Sequence, residues 1–552
     1  MTKPVDPAGT GLAEGRMSQN KTDARDLAAL GHDEALTRKF DLVSMLALAF
    51  CVLGTWAVVA QNLEAALTIG GPVSIFWGLL LVMGCNLCIA TSLGELCSSM
   101  PTALGQAYWV ARLWDTPQGR FASYLTAWIN TFGWWALTAS QNAFMTELLL
   151  GVKVMFDPDW PGATQGWTLF VVYVCITVLF TGFNLVACRS EKTLPWFNNF
   201  VGAGFVLLFV LIGMALLIAV GVTPDLHYQP ASFVFGGWVN QTGWGDGVVW
   251  FIGLVQSAYG LTAYDAVIHM VEEVPNPKRN APMAMYLSVA FGSLSGFVFM
   301  ICVVFSIQDI ESVIGSATGF PFVQVMIDAL GLVGGVVLTV LFLFNGFGQG
   351  ISVMTSASRL TWGFARDGGL PWGSYFGHVD RTWHVPARAL WLQCFIICLI
   401  GVLYLFSNTV LAAVLSVSTI ALTISYAIPI AVLLAVGRDK MPPREFSLGR
   451  FGTAFNWVSI IYCLITTVFF FFPAAPNPAP ADMNWAIGVF AVVLVLSVLF
   501  WFVRGRVTYL RTRDASERAL RARQLETATY DGLEADRASD AGTTAETKGD
   551  VL

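Results

Sequence analysis

Gln256-Ser257-Ala258-Tyr259-Gly260-Leu261-Thr262-Ala263-Tyr264-Asp265 interrupts an otherwise apolar run over 247–268. A helix in lipid must satisfy its own backbone, so a stretch this rich in small and hydrogen-bonding residues predicts a broken helix that faces protein or a water-filled cavity. An earlier run offers a partner, because Ala49-Phe50-Cys51-Val52-Leu53-Gly54-Thr55-Trp56 carries Gly54 near its middle. Glycine by itself is weak evidence: it serves close packing between membrane helices, and this chain has 52. The polar run is the stronger half. Counting apolar runs makes these the first and sixth spans. Five spans are an odd number, so a second unit of five runs inverted relative to the first. Paired breaks in inverted units are an arrangement of secondary transporters, which offer free amides and carbonyls to substrate near the bilayer midplane.

About twelve runs approach the ~20 residues a spanning helix needs. They are 42–61, 72–97, 121–149, 166–187, 197–222, 247–268, 282–306, 332–356, 389–406, 409–436, 453–473 and 485–503. Composition agrees: 56% of residues are hydrophobic and 12% charged, against about 45–50% and about 25% in soluble proteins. Basic residues supply an independent test. Arg112, Arg120, Arg189, Lys192, Lys278, Arg279, the stretches 359–388 and 438–450, and everything from Arg504 on fall in even-numbered connections or the C-terminal tail, while the odd ones hold only Lys153. By the positive-inside rule both termini are cytoplasmic. The expected fold is therefore all-α integral membrane, with five-plus-five repeats, broken helices 1 and 6, and two extra helices. Its divisions are a disordered cytoplasmic N-tail (1–40), helices 1–5 (41–222), helices 6–10 (223–436), helices 11–12 (437–505) and a cytoplasmic C-tail (506–552). Residues 511–526 are patterned as a charged amphipathic helix, and Phe322–Ile327 predicts a short helix over the outer face. Asn240-Gln241-Thr242 is a sequon in an outer loop.

Several functions are excluded at this level. A net charge of -6, from 30 basic and 36 acidic residues, leaves no basic surplus for nucleic acid. Cys85 and Cys88 lie in an apolar run without a second pair, which suits helix packing better than redox or metal chemistry. The sequence has no Gly-x-Ser-x-Gly elbow, phosphate-cradling loop or paired metal-binding histidines, so no cofactor, metal or enzymatic reaction is expected.

Candidate substrate-binding residues surround the breaks: Gly54, Thr55 and Trp56 at the first, Gln256, Tyr259, Gly260, Tyr264 and Asp265 at the second, and Trp135 on span three. Two binding modes fit them. Trp56, Tyr259 and Trp135 could cage a quaternary ammonium through cation–π attraction. Alternatively, amides at Gly54 and Thr55 take a carboxylate while carbonyls of 257–262 take an amine. Coupling or gating candidates are Glu147, Asp265 and His269. Asp265 has a plainer reading as an inner-end residue that is solvated or tied to Lys278 or Arg279. Glu147 acts only if it faces the bundle, and Glu95 is expected to cap a helix or pair with an inner-loop arginine.

Thr91-Ser92-Leu93-Gly94-Glu95-Leu96 through Pro101-Thr102-Ala103 resembles the fungal amino acid/choline/GABA permeases of the amino acid-polyamine-organocation superfamily. So do Tyr264-Asp265-Ala266 with His269-Met270 and Glu272-Glu273, and Phe364-Ala365-Arg366-Asp367-Gly368-Gly369-Leu370-Pro371. Further matches are Ser306-Ile307-Gln308-Asp309 and Asp482-Met483-Asn484-Trp485, and the likeness spans 40–505. It implies twelve helices, an inverted repeat, proton-coupled uptake, and substrate held at Gly54, Thr55, Trp56, Tyr259 and the Asp265 region; the expected location is the plasma membrane. Choline carriers of that family often have Asn at the position of Gly54 and Trp at that of Tyr259. The wording around Ser92–Ser98 and His269-Met270 resembles the choline branch more than the GABA branch. The resulting expectation is a permease importing a small amine-bearing solute, choline or an amino acid such as GABA, by proton symport. The alternatives are a nontransporting nutrient receptor on the same fold, or a membrane enzyme.

Overall fold

The computed structural model describes residues 22–316, 318–380, 385–406, 408–480 and 483–510. The chain divides into two units, Met1–Thr37 with Arg511–Leu552, and Arg38–Leu510. In the first unit, residues 22–29 form a helix where a disordered tail is expected. Ala24, Arg25, Leu27, Ala28 and Ala29 have high helix propensity and make up most of this stretch. The amphipathic pattern over 511–526, and Asp482, lie outside the described residues.

The second unit holds the spans. The first span is α1 (Leu42–Leu53) and α2 (Thr55–Gln61), parted at Gly54. Asp41 and Ser44 start it with a reciprocal capping box: the Ser44 N–H donates to Asp41 Oδ1 at 2.8 Å and the Asp41 N–H to Ser44 Oγ at 3.0 Å. Next come α3 (Gly71–Ser99), the short connecting helix α4 (Gln106–Leu113), α5 (Pro117–Val154), α6 (Gly166–Cys188) and α7 (Thr193–Val222). The sixth span again has two pieces, α8 (Asp246–Tyr259) and α9 (Ala266–His269). It is followed by α10 (Pro277–Phe305), α11 (Pro321–Arg366), α12 (Ala387–Gly401) and α13 (Asn408–Val436). Finally, α14 (Gly452–Phe469) and α15 (Ala486–Phe500) complete the bundle. The helix beginning at Pro321 does not stop before the next span: α11 runs through both, bent at Gly331 where φ is 71°.

Among the described residues, ten segments are long and apolar enough to cross a membrane, with α1 and α2 counted together. The other two expected spans are helical but fail that measure for physical reasons. α5 is 38 residues long yet buries Asn130, Thr131, Thr138, Gln141, Asn142 and Thr146; α8 and α9 are too short once parted. Polar groups on α5 are tolerable because that helix faces protein rather than lipid.

Packing repeats under exchange of each helix for the one five spans away. α5 on α6 recurs as α11 on α12, α6 on α11 recurs as α12 on α5, and the first span on α10 recurs as α8 on α3. The broken first span lies at the centre: its most apolar window is 72% buried, against 22% for the window over Ala486–Thr508. Peripheral helices turn large apolar side chains outward, Leu207, Val333 and Phe344 among them. In water these would be a liability; in a bilayer they are the solvent-facing surface.

Candidate functional site

Gly54 is left-handed (φ 56°, ψ 26°), a conformation that suits glycine. Its N–H donates to the Phe50 carbonyl at 3.0 Å and its carbonyl accepts from the Val58 N–H at 2.9 Å. Both bonds end on Gly54 and none spans it, so the amides of Thr55, Trp56 and Ala57 lack helical acceptors four residues back. A Cβ at Gly54 would lie 2.1 Å from Gln349 Nε2, which puts a side chain of α11 directly against the first break. Gln349 Oε1 in turn accepts from Gln141 Nε2 on α5 at 3.5 Å. Thr55 Oγ1 and Trp56 Nε1 are buried with no hydrogen-bond partner.

The second break is wider, spanning 260–265 between α8 and α9. Ala263 carries φ 77° without being glycine, and its N–H donates to the Tyr426 hydroxyl at 3.1 Å. Tyr426 donates to Asp265 Oδ1 at 2.6 Å. Asp265 Oδ2 accepts from Gln106 Nε2 at 2.8 Å and Trp134 Nε1 at 3.2 Å, and lies 3.1 Å from His269 Nε2. Asp265 is therefore fully buried and held by side chains of α4, α5, α9 and α13, rather than solvated or paired with Lys278 or Arg279. The two breaks touch: a Cβ at Gly260 would sit 3.1 Å from Val59 and 3.5 Å from Thr55. Tyr264, one residue before Asp265, donates to Asn86 Oδ1 at 3.2 Å.

A cavity of about 500 Å³ descends to the second break from the end of the bundle that carries the connections at 62–70 and 470–485. Gln256, Tyr259 and Ser140 line it, with Asn62, Phe470 and Trp485 toward the mouth. Among the described residues, none that lines it is charged. The Tyr259 hydroxyl shares a 2.8 Å hydrogen bond with Ser140.

The opposite end is closed by ions. Glu272 accepts from the Ala103 N–H at 3.0 Å and from Arg366 Nη1 at 3.1 and 2.9 Å. Glu273 accepts from Arg359 Nε at 2.8 Å, with both side chains buried. Burial pushes the Asp367 carboxyl up to about 6, with the neighbouring Arg366 guanidinium pulling the other way. Alongside, Glu95 binds Arg438 and accepts from Arg444 Nε at 2.8 Å, the pairing expected of an inner-loop arginine. Buried ion pairs are poor stabilisers because desolvation offsets their attraction, but they fix one arrangement of segments.

The aromatic candidates separate. Tyr259 lines the cavity. Trp56 is fully buried, its ring 4.7 Å from those of Phe205 and Phe299 and 5.8 Å from that of Phe342, so it packs the core behind the first break. Trp135 donates to Thr361 Oγ1 at 2.9 Å and is likewise buried. The cage of Trp56, Tyr259 and Trp135 is thus not assembled in this structure. Glu147 is exposed on α5 and accepts from the Tyr404 hydroxyl at 3.1 Å, away from both breaks. Sequence reading missed Gln349, Gln106, Ser140 and Tyr426. A signal for the first was present, since Gly346-Phe347-Gly348-Gln349-Gly350-Ile351-Ser352 has the same small and polar character as the run in span six.

Paired helix breaks, an uncharged cavity open at one end and an ionic closure at the other define a membrane transporter. The sequence model of the family described as amino acid permease matches residues 40–496, and the chain belongs to that family. It is 32% identical to the choline transporter of Saccharomyces cerevisiae over 486 residues, covering 88% of this chain and 84% of that protein. Plant relatives are the amino-acid permease BAT1 homolog of Oryza sativa subsp. japonica, at 28% identity over 88% of this chain and 95% of that one, and the amino-acid permease BAT1 of Arabidopsis thaliana, at 27% over 87% and 94%. The chain is accordingly an integral membrane transporter of amino acids or amine solutes, not an enzyme.

Proposed function

We propose that this permease imports a choline-like quaternary ammonium by proton symport across the plasma membrane, with both termini in the cytoplasm. The observation that carries this reading is the cavity, which ends on Tyr259 and Gln256 and whose described lining is aliphatic, aromatic and neutral polar, without a carboxylate or a base among the described residues. Aromatic faces attract a quaternary ammonium without a counter-charge, and a volume of about 500 Å³ falls in the usual small-molecule range of about 300–1,000 Å³. The 32% identical relative named choline transporter adds support. Tyr259, Gln256 and Ser140 contact the solute; Gly260 and Thr55 join the two breaks beneath it; Trp56 and Trp135 back the site from the core. Opening of the closed end then releases the solute inward.

A second reading keeps a specific observation in its favour. The amides of Thr55, Trp56 and Ala57 lack helical acceptors, which suits the carboxylate of an amino acid such as GABA, with Gln349 displaced from Gly54. Uptake of labelled choline and labelled GABA, side by side in yeast lacking its own permeases for both, with and without a protonophore, separates the two. Protonophore-sensitive uptake of choline alone is expected. GABA uptake alone transfers the site to the first break. Silence of both solutes, with the protein at the cell surface, shifts weight to another amine, to an amino acid outside this pair, or to the receptor reading.

A further inference from the structure

We infer that Asp265 and His269 together hold one exchangeable proton, and that this is the proton carried with the solute; the inference rests on the proton-symport reading above. His269 Nδ1 lies 2.9 Å from the Ala103 carbonyl oxygen and Nε2 lies 3.1 Å from Asp265 Oδ2. A carbonyl and an ionised carboxylate are both acceptors, so each contact needs a hydrogen. A neutral imidazole has one N–H, and an imidazolium has two. A proton on Oδ2 would give the same count, one more than imidazole plus carboxylate. The other contacts locate it. Gln106, Trp134 and Tyr426 all donate to the carboxylate, which favours the anion and leaves the proton on His269.

The neighbouring ionisable groups are accounted for. Tyr426 on α13 donates to Asp265, and Tyr264 donates to Asn86 on α3. Glu272 is paired with Arg366 and Glu273 with Arg359, both on α11. The protonated pair is neutral inside this setting, and losing the proton leaves a buried negative charge.

The same proton reaches the closure. Ala103, whose carbonyl takes the His269 Nδ1–H, also gives its N–H to Glu272. Without the proton, a ring lone pair faces either the Ala103 oxygen or the carboxylate, so segments 101–105 and 265–273 are driven apart. As that end opens, the ring N–H bond breaks, the proton passes to water, and His269 returns as neutral imidazole. Proton release and solute release then share one opening. Glu147, exposed and held by Tyr404, has no such link.

Two measurements test this on the full-length protein. The chain has five histidines, so nitrogen NMR of histidine-labelled protein in detergent is tractable, with the ring signals lost in His269→Gln assigned to His269. Both ring nitrogens should be protonated at neutral pH; a neutral ring overturns the assignment. In proteoliposomes fed labelled choline and labelled GABA, His269→Gln should retain exchange of internal for external solute while gradient-driven accumulation falls by about tenfold or more. Undiminished accumulation overturns the coupling role. Wild-type transport indifferent to the pH gradient removes the symport reading itself, whereas a neutral His269 in a gradient-driven wild type removes only this pair. Tyr426→Phe covers a His269 variant that fails to fold. It takes one donor from the carboxylate that faces His269, so the pH profile of accumulation should move relative to wild type; an unmoved profile contradicts the proposal.

Discussion

The two helix breaks solve one problem by different means. The first is a single left-handed glycine on which one backbone hydrogen bond from each helix piece ends. The second spans 260–265, and its shape is held by side chains from other helices: Gln106, Trp134, Tyr426 and His269 all meet Asp265. A backbone break inside a membrane protein can therefore be stabilised locally, at the cost of tolerating no side chain, or remotely, at the cost of depending on several partners. The first should fail by crowding and the second by lost hydrogen bonds.

The largest effect is expected at the first break. Gly54→Ala puts a Cβ 2.1 Å from Gln349 Nε2 and imposes roughly 1–2 kcal/mol for a left-handed L-residue. Uptake at equal surface abundance should drop by about tenfold or more. Adding Gln349→Ala should restore part of it by removing the clash but not the backbone cost; full activity in Gly54→Ala alone would mean the break is not confined as described.

Next comes the second break. Gln106→Leu removes a donor to Asp265 and strands Asn130 Nδ2, which donates to Gln106 Oε1 at 3.2 Å. Unsatisfied buried groups cost about 1–3 kcal/mol each, so the melting midpoint in detergent should fall, while a matched change at lipid-facing Leu207 leaves it unmoved. Equal midpoints for the two variants would deny the remote scaffold.

Below the second break, Asp367 offers a smaller, pH-dependent effect. Burial raises its carboxyl from the ordinary 3.8 to about 6, so the folded state binds its proton more tightly. The contribution to stability is complete below the ordinary value and is lost as pH rises through the folded one. Asp367→Asn should thus flatten the fall in melting midpoint between about pH 4 and 7; an unchanged slope would assign that fall to another group.

The smallest effect is at Ala263, whose φ of 77° is strained for alanine. Glycine relieves that strain but adds roughly 0.5–1 kcal/mol of unfolded-chain entropy. Ala263→Gly should therefore shift the melting midpoint little, and Ala263→Val should lower it clearly. Tolerance of valine would show that hydrogen bonds at the second break do not fix its backbone.

Hydropathy, charge alternation and the polar run in span six were enough to read an all-α membrane transporter, because lipid imposes the same demand on every residue of a span. Gly54 was legible for a related reason: its lack of a side chain is a local property. Tyr426, Gln106 and Gln349 were not found, because each is one polar residue in a helix and its importance depends on how distant helices pack. Trp56 shows the limit in the other direction. Its position beside a break suggested a cavity wall, but its ring is enclosed by Phe205, Phe299 and Phe342 on α7, α10 and α11. Sequence adjacency to a break does not say which way a helix face turns. Charge at the closed end was similarly underread, since Glu272 and Glu273 look like solvated rim residues until Arg366 and Arg359 are brought against them.

The uncharged lining of the open cavity has a kinetic corollary. Long-range steering needs a fixed charge near the entrance, and its mark is an association rate that falls as ionic strength rises and the Debye length shrinks. Gln256, Tyr259, Asn62 and Trp485 supply only dipoles and ring faces, whose reach is a few ångströms. Sorting at the described lining is therefore by contact, so added salt should change the solute's hold on the cavity little, and any salt-dependent steering belongs to charges outside that lining, such as exposed Glu64 in the connection at the mouth.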